Sequence, residues 1–180
     1  MSLQSIDRSL TFVVDWVARL VGWLVVALML VILADVVSRR LALGGSTVFH
    51  ELQWHLHTMI FVFTFGFAYV RNAHVRIDTF ARKSSGRIQA LVEIAGICLF
   101  LLPFCAVVMR YGINFAYASY LVGEHSDTPG GIPYRWVIKS TLPLGMFLLM
   151  AGGLAVLCRN LVVLSIGKAS DAGPDARGLS

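Results

Sequence analysis

Charge is what this chain has least of. Only 14% of its 180 residues are Asp, Glu, Lys or Arg, against 57% that are hydrophobic. With a mean hydropathy of +0.75, a soluble domain of this length would lack the polar surface to cover itself. Cysteine is scarce as well. Cys98, Cys105 and Cys158 all lie in apolar runs; the first two share a helix about 10 Å apart at 1.5 Å per residue, too far for a disulfide. They read as small buried hydrophobes, so no disulfide framework is expected. No nucleophile or phosphate-loop pattern is present, and no Ser/His/Asp set falls at one depth. The chain is not expected to be an enzyme. The stretch His50-Glu51-Leu-Gln-Trp54-His55 has one residue too many to be a zinc-protease motif, since imidazoles at i, i+5 face apart. His50 and His57 do share a face, but no Cys or acidic cluster completes a four-ligand shell. Neither a metal nor any other cofactor is expected.

Present instead are four apolar runs. The sequence predicts an all-α membrane protein of four transmembrane helices in an antiparallel bundle. The spans fall at about 16–38, 52–70, 88–111 and 135–158, each long enough for a hydrocarbon core of ~30 Å. Residues 1–15, with Ile6, Leu10, Val13 and Val17 at helical spacing, predict a short amphipathic helix at the interface rather than a cleaved leader. The membrane domain runs over 16–166, and 167–180, rich in Gly, Ala and Asp, reads as a disordered cytoplasmic tail. Pro103 falls inside the third span and predicts a kink; the apolar pattern continues past Arg110 to Val122. Glu124 to Pro133 is dense in turn-formers.

Orientation follows from the basic residues, which sit between the apolar runs. That placement fits a membrane surface and not nucleic acid. With the N-terminus inside, inner segments hold Arg8, Arg19, Arg71, Arg76, Arg82, Lys83, Arg87, Arg159, Lys168 and Arg177. Outer segments hold Arg39, Arg40, Arg110, Arg135 and Lys139. Cytoplasmic loops retain Lys and Arg, so both ends are expected inside.

Ionisable residues in lipid are costly and mark functional or structural partners. Asp35 and Lys139 fall near the outer end, Arg19 and Glu93 near the inner end, and each pair is expected to bridge helices. None lies at mid-membrane, which argues against a self-contained exporter and against this chain alone carrying an ion. Gly145 with Gly152, and Gly112 with Ala116, present small faces for helix packing, within the chain or between subunits.

Span two ends in Gly66-Phe-Ala68, followed by a short basic gap and His74-Val75-Arg76-Ile77-Asp78. The last span is entered through Ser126-Asp-Thr-Pro129-Gly-Gly-Ile-Pro133-Tyr-Arg135-Trp136, with Lys139 and Pro143 following. Both features resemble the small membrane subunit (DctQ-like) of tripartite ATP-independent periplasmic (TRAP) transporters. In that family an acidic, aromatic helix start leads to a His-(Ile/Val)-x-(Val/Ile)-Asp signature. The likeness covers about residues 10–165, with one departure: Phe49-His50-Glu51 offers one Glu where many relatives have a Glu pair, and Trp54 comes later.

The resemblance implies a bacterial inner-membrane protein without its own pathway. It would brace a large elevator-type subunit for sodium-driven uptake of an organic acid or similar solute delivered by a periplasmic solute-binding protein. Glu51, Trp54, His74, Arg76, Asp78, Arg135 and Lys139 are then candidates for contact with that subunit or with membrane lipids. Asp78 as an acceptor would fix its loop and cap the next helix, leaving Arg76 for a phosphate or the partner. The rival reading is a haem-binding membrane redox subunit of cytochrome b type, since such bundles hold haem between histidines on facing helices. Here His55 and His57 open span two, His125 lies in a loop, and spans three and four have no histidine.

A cysteine placed at Ser84 or Ser85 should be shielded from an impermeant thiol reagent added outside intact cells. Labelling there would overturn the topology.

Overall fold

The computed structural model describes residues 3–41, 46–71 and 86–171, with side chains as far as Ser165. Among these residues the chain forms four helices and no strand. They are α1 (Leu3–Arg40), α2 (Thr47–Val70), α3 (Gly86–Leu121) and α4 (Trp136–Asp171).

Helix α1 is unbroken. It has no proline, and Arg39 and Arg40 in its last turn oppose the negative end of the helix dipole. The boundary expected at residue 15 therefore falls inside a continuous helix: nothing between Asp15 and Trp16 stops the backbone ladder. Helix α3 likewise continues past Arg110 as one rod. Its turn over Ile97–Leu101 is π-helical, and the Leu102 N–H reaches the Ile97 carbonyl. Pro103 explains the widening. Its ring would collide with the carbonyl four residues back in a regular α-helix, and one extra residue in the turn makes room. Helix α4 reaches Asp171, beyond the expected start of the tail at 167; the residues from 172 onward lie outside the described ones.

Three of the four helices are long and apolar enough to cross a membrane: Leu3–Arg40, Gly86–Leu121 and Trp136–Ser165. Helix α2, with Gln53, His55 and His57 in its first half, is not among them. Outward faces carry Phe12, Trp23, Met29, Phe100, Phe104 and Tyr111, all exposed. Cys98 is exposed among them, and only Cys105 and Cys158 are buried as expected.

Helix α4 is the centre of the packing. It touches α1, α2 and α3, while α1 also packs on α2. Its inward face carries Met146, Leu148, Ala151, Ala155 and Val156, and Ala151 and Ala155 join Val14 and Val70 in one core cluster. Close approach, rather than bulk, holds α2 to α4. A Cβ on Gly66 would lie 2.5 Å from the Leu148 carbonyl oxygen, and one on Gly152 would lie 2.8 Å from that of Gly66. A Cβ on Gly145 would collide with Val62, and one on Gly112 would press on Pro143 Cδ at 3.1 Å. Both small-residue faces noted in the sequence thus serve packing within the chain. Between apolar helices in lipid, where no water is expelled, such contact supplies the association energy by dispersion.

Gly66→Leu should destabilise the fold by about 1–3 kcal/mol, the usual result of overpacking. Thermal unfolding in detergent reads this as a lowered midpoint. Gly22→Ala, whose Cβ meets nothing within 4 Å, should leave the midpoint unchanged or slightly raised.

Candidate functional site

The loop of residues 122–135, between α3 and α4, is held by a single carboxylate from α2. Its sequence dictates its shape. Thr128-Pro129-Gly130-Gly131 closes a turn in which the Gly131 N–H donates to the Thr128 carbonyl at 2.9 Å. Proline pre-sets the second turn position, and Gly130 at φ 73° supplies the left-handed third position of a type II turn. Gly131 is needed for space, since a Cβ there would lie 2.5 Å from the Ser126 side chain and 2.7 Å from Glu51 Oε1.

Into this hollow reaches Glu51. Its Oε1 accepts from the Ser126 hydroxyl and, at 3.2 Å, from the Thr128 hydroxyl, while Oε2 accepts from the Ile132 N–H at 2.6 Å. The two oxygens thus tie both limbs of the loop to α2. The Ser126 hydrogen bond, then the Ile132 N–H and the Thr128 hydroxyl, with the Arg135 charge nearby, hold the Glu51 carboxyl below its ordinary range.

A second anchor lies one step along. Lys139, in the first turn of α4, pairs with Glu124, and its Nζ sits 4.0 Å from the Phe115 ring centroid, a cation–π contact. Arg135 lies 3.3 Å from Asp127 and 3.9 Å from Glu124. The Lys139 hydrogen bond, foremost, keeps Glu124 below the usual glutamate value. Tyr120 and Trp136 close the hinge edge to face at 5.6 Å. Tyr134 has a φ of 66°, unusual for a residue with a side chain, and its ring is exposed.

Three of the sequence candidates, Glu51, Arg135 and Lys139, therefore meet at one end of the molecule. Trp54 stands apart from them. It is 64% exposed, and its indole N–H donates to His50 Nε2 at 3.2 Å. His74, Arg76 and Asp78 lie outside the described residues.

The expected helix-bridging pairs are corrected. Asp35 does not reach Lys139; its buried carboxylate takes Arg39 at 3.1 Å on its own helix and the Gln53 amide at 3.2 Å from α2. A partner one turn away is geometrically cheaper than one across the bundle, and Lys139 is already engaged by Glu124. No Arg19–Glu93 ion pair forms among the described residues, since α1 packs on α2 and α4 while α3 packs on α4. At that opposite end Asp15 pairs with Arg71 at 2.6 Å and Asp7 with Arg159 at 3.2 Å. Sequence reasoning missed Gln53, Asp15, Arg71 and Arg159, because matching depth along helices says nothing of azimuth. Ser126 and Thr128 were visible only as turn residues.

Among the described residues no three His, Cys, Asp or Glu side chains converge as a metal site. His50 is engaged by Trp54, and His55 Nδ1 lies 2.7 Å from the Glu51 carbonyl oxygen of its own helix. What the geometry defines is a membrane protein of long apolar helices with ion pairs gathered toward the helix ends. Residues 28–162 match the model of a family described as tripartite ATP-independent periplasmic transporters, DctQ component. The chain belongs to this family, which is one of transporter components and not of enzymes. Comparison with curated proteins and with solved structures returned no match.

The Glu51 clamp has a pH signature. A carboxyl with a depressed folded pKa stabilises the loop fully above the ordinary value of 4.5. That contribution is lost as pH falls through the lower folded value. Protection of the Ile132 amide from hydrogen exchange, taken relative to an unstructured amide at the same pH, should therefore be high at neutral pH and fall only below pH 4.5. In Glu51→Gln that protection should be lower at neutral pH, without the acid step. An acid step that survives in Glu51→Gln would assign it to another group.

Proposed function

We propose that this TRAP small subunit is a non-translocating scaffold. In this reading all four helices span the bacterial inner membrane as an antiparallel bundle with both ends in the cytoplasm. The chain braces the static part of the large elevator-type subunit. That subunit moves an organic acid or similar solute, driven by sodium and delivered by a periplasmic solute-binding protein.

The observation that carries this reading is where the polar groups go. Asp35 with Arg39 and Gln53, Glu124 with Lys139, Asp15 with Arg71 and Asp7 with Arg159 all neutralise one another toward helix ends. Between them α4 meets its neighbours through glycine and alanine, backbone against backbone. A pathway for an anionic solute requires polar groups facing a cavity at mid-membrane; a brace requires rigid packing and broad apolar flanks. The second set of requirements is the one these residues meet. The haem reading has no comparable support, because α1, α3 and α4 carry no histidine to face those of α2 and complete an axial pair.

In the same reading the segment from His74 to Asp78 is an assembly element. Asp78 fixes its loop, and Arg76 faces lipid phosphate or the large subunit. Asp78→Ala should reduce solute uptake in proportion to the complex lost, measured by co-purification of the large subunit beside transport in the same cells. A normal complex with abolished uptake would give these residues a part in the transport cycle, and the scaffold reading would fall. A Soret band in the purified chain would do the same in favour of haem.

A further inference from the structure

Between α1 and α2, at the end that carries Asp15 and Arg71, the molecule has an open groove of about 540 Å³. Two stripes at helical spacing line it. Asp15, Arg19, Gly22 and Val25 descend α1, and Arg71, Phe67, Thr64 and Ile60 descend α2. The stripes cover eleven and twelve residues, about 15 Å of helix at 1.5 Å per residue. The groove is therefore polar at its mouth and apolar along its length.

The charges at the mouth do not balance. Arg71 is taken by Asp15 at 2.6 Å and also rests over the Phe67 ring. Arg19, one turn deeper on an apolar helix, is exposed and makes no ion pair among the described residues. Two guanidinium groups thus face one carboxylate. On the other side of the ledger, Asp15 Oδ1 is buried and accepts no hydrogen bond. An arginine on a lipid-facing helix extends its head toward the interface and seeks an anion there. A buried carboxylate oxygen without a donor is equally costly to leave alone.

We propose that this groove is a binding site for one anionic phospholipid with a hydroxyl-bearing headgroup. The phosphodiester bridges Arg19 and the free edge of Arg71, matching the residual positive charge. A headgroup hydroxyl donates to Asp15 Oδ1. One acyl chain lies down the groove past Gly22, which has no Cβ to block it, between Val25 and Ile60. The length of the apolar trough favours a chain-bearing ligand over free phosphate. The cationic mouth at one end only matches a lipid better than it matches the flank of a uniformly apolar partner helix. The inference rests on the membrane placement of α1, and not on the scaffold role.

The test uses the full-length chain in detergent and native mass spectrometry, with phosphatidylglycerol or phosphatidylcholine as the added lipid. One phosphatidylglycerol should be retained in preference to phosphatidylcholine, and inorganic phosphate should not displace it. Arg19→Gln should weaken retention about fivefold, the effect of one basic residue at a charged surface. Gly22→Phe leaves every charge in place and should abolish retention by filling the trough; an added Cβ there meets no protein atom within 4 Å. Arg40→Gln, in the last turn of α1 at its other end, should change nothing. Equal retention of phosphatidylcholine would overturn the proposal, as would phosphatidylglycerol binding indifferent to both Arg19→Gln and Gly22→Phe. So would loss of the lipid on assembly with the large subunit, since a partner helix would then be the occupant.

Discussion

The close approach of α2 to α4 sets the rest of the molecule. At Gly66, Gly145 and Gly152 the two helices meet so closely that a single Cβ has no room. Backbone contact of that kind has little tolerance, because repulsion rises steeply within a few tenths of an ångström. It therefore fixes the distance and the register of α2 along α4. Glu51 lies fifteen residues before Gly66 on the same rigid helix, and its reach to the loop depends on that register. Displace α2 outward by a side chain, and the carboxylate no longer meets Ser126, Thr128 and Ile132.

The second constraint is electrostatic. A chain with so few charges places nearly every described carboxylate against a donor, and does so toward the ends of its helices. At one end Glu51 and Glu124 organise the loop before α4, and Asp35 joins α1 to α2 through Gln53. At the other, Asp7 and Asp15 tie the start of α1 to Arg159 and Arg71. Between these belts the contacts are apolar and close. This division suits a subunit that must keep its shape while a partner moves. The imbalance at Arg19 stands out against it, and a lipid phosphate is the counter-charge that a membrane supplies.

Much of this was legible in the residues. Hydropathy marked the long helices, and the Thr-Pro-Gly-Gly turn announced its own geometry. The small-residue pairs on the last helix and on α3 declared close packing, though not with what. Three kinds of information were hidden. Continuity was one: a pattern that looked like an interfacial helix feeding a span is one helix over Leu3–Arg40, since amphipathicity alone does not interrupt hydrogen bonding. Azimuth was another. Asp35 and Lys139 share a depth but face different neighbours, so depth matching paired the wrong residues. The third was long-range reach, such as that of Glu51 to a loop more than seventy residues away.

The sequence by itself determined that this chain is helical, lives in a membrane and belongs with a transporter's small subunit, because hydrophobicity and turn chemistry are local properties. Only the tertiary structure decided that α4 is the central helix, that its glycines serve internal contacts, and that Glu51 reaches over from α2 to secure the entry to the last helix. Those outcomes depend on which faces of the helices turn toward one another. Periodicity constrains that choice, but it is made by the few places where two backbones can touch.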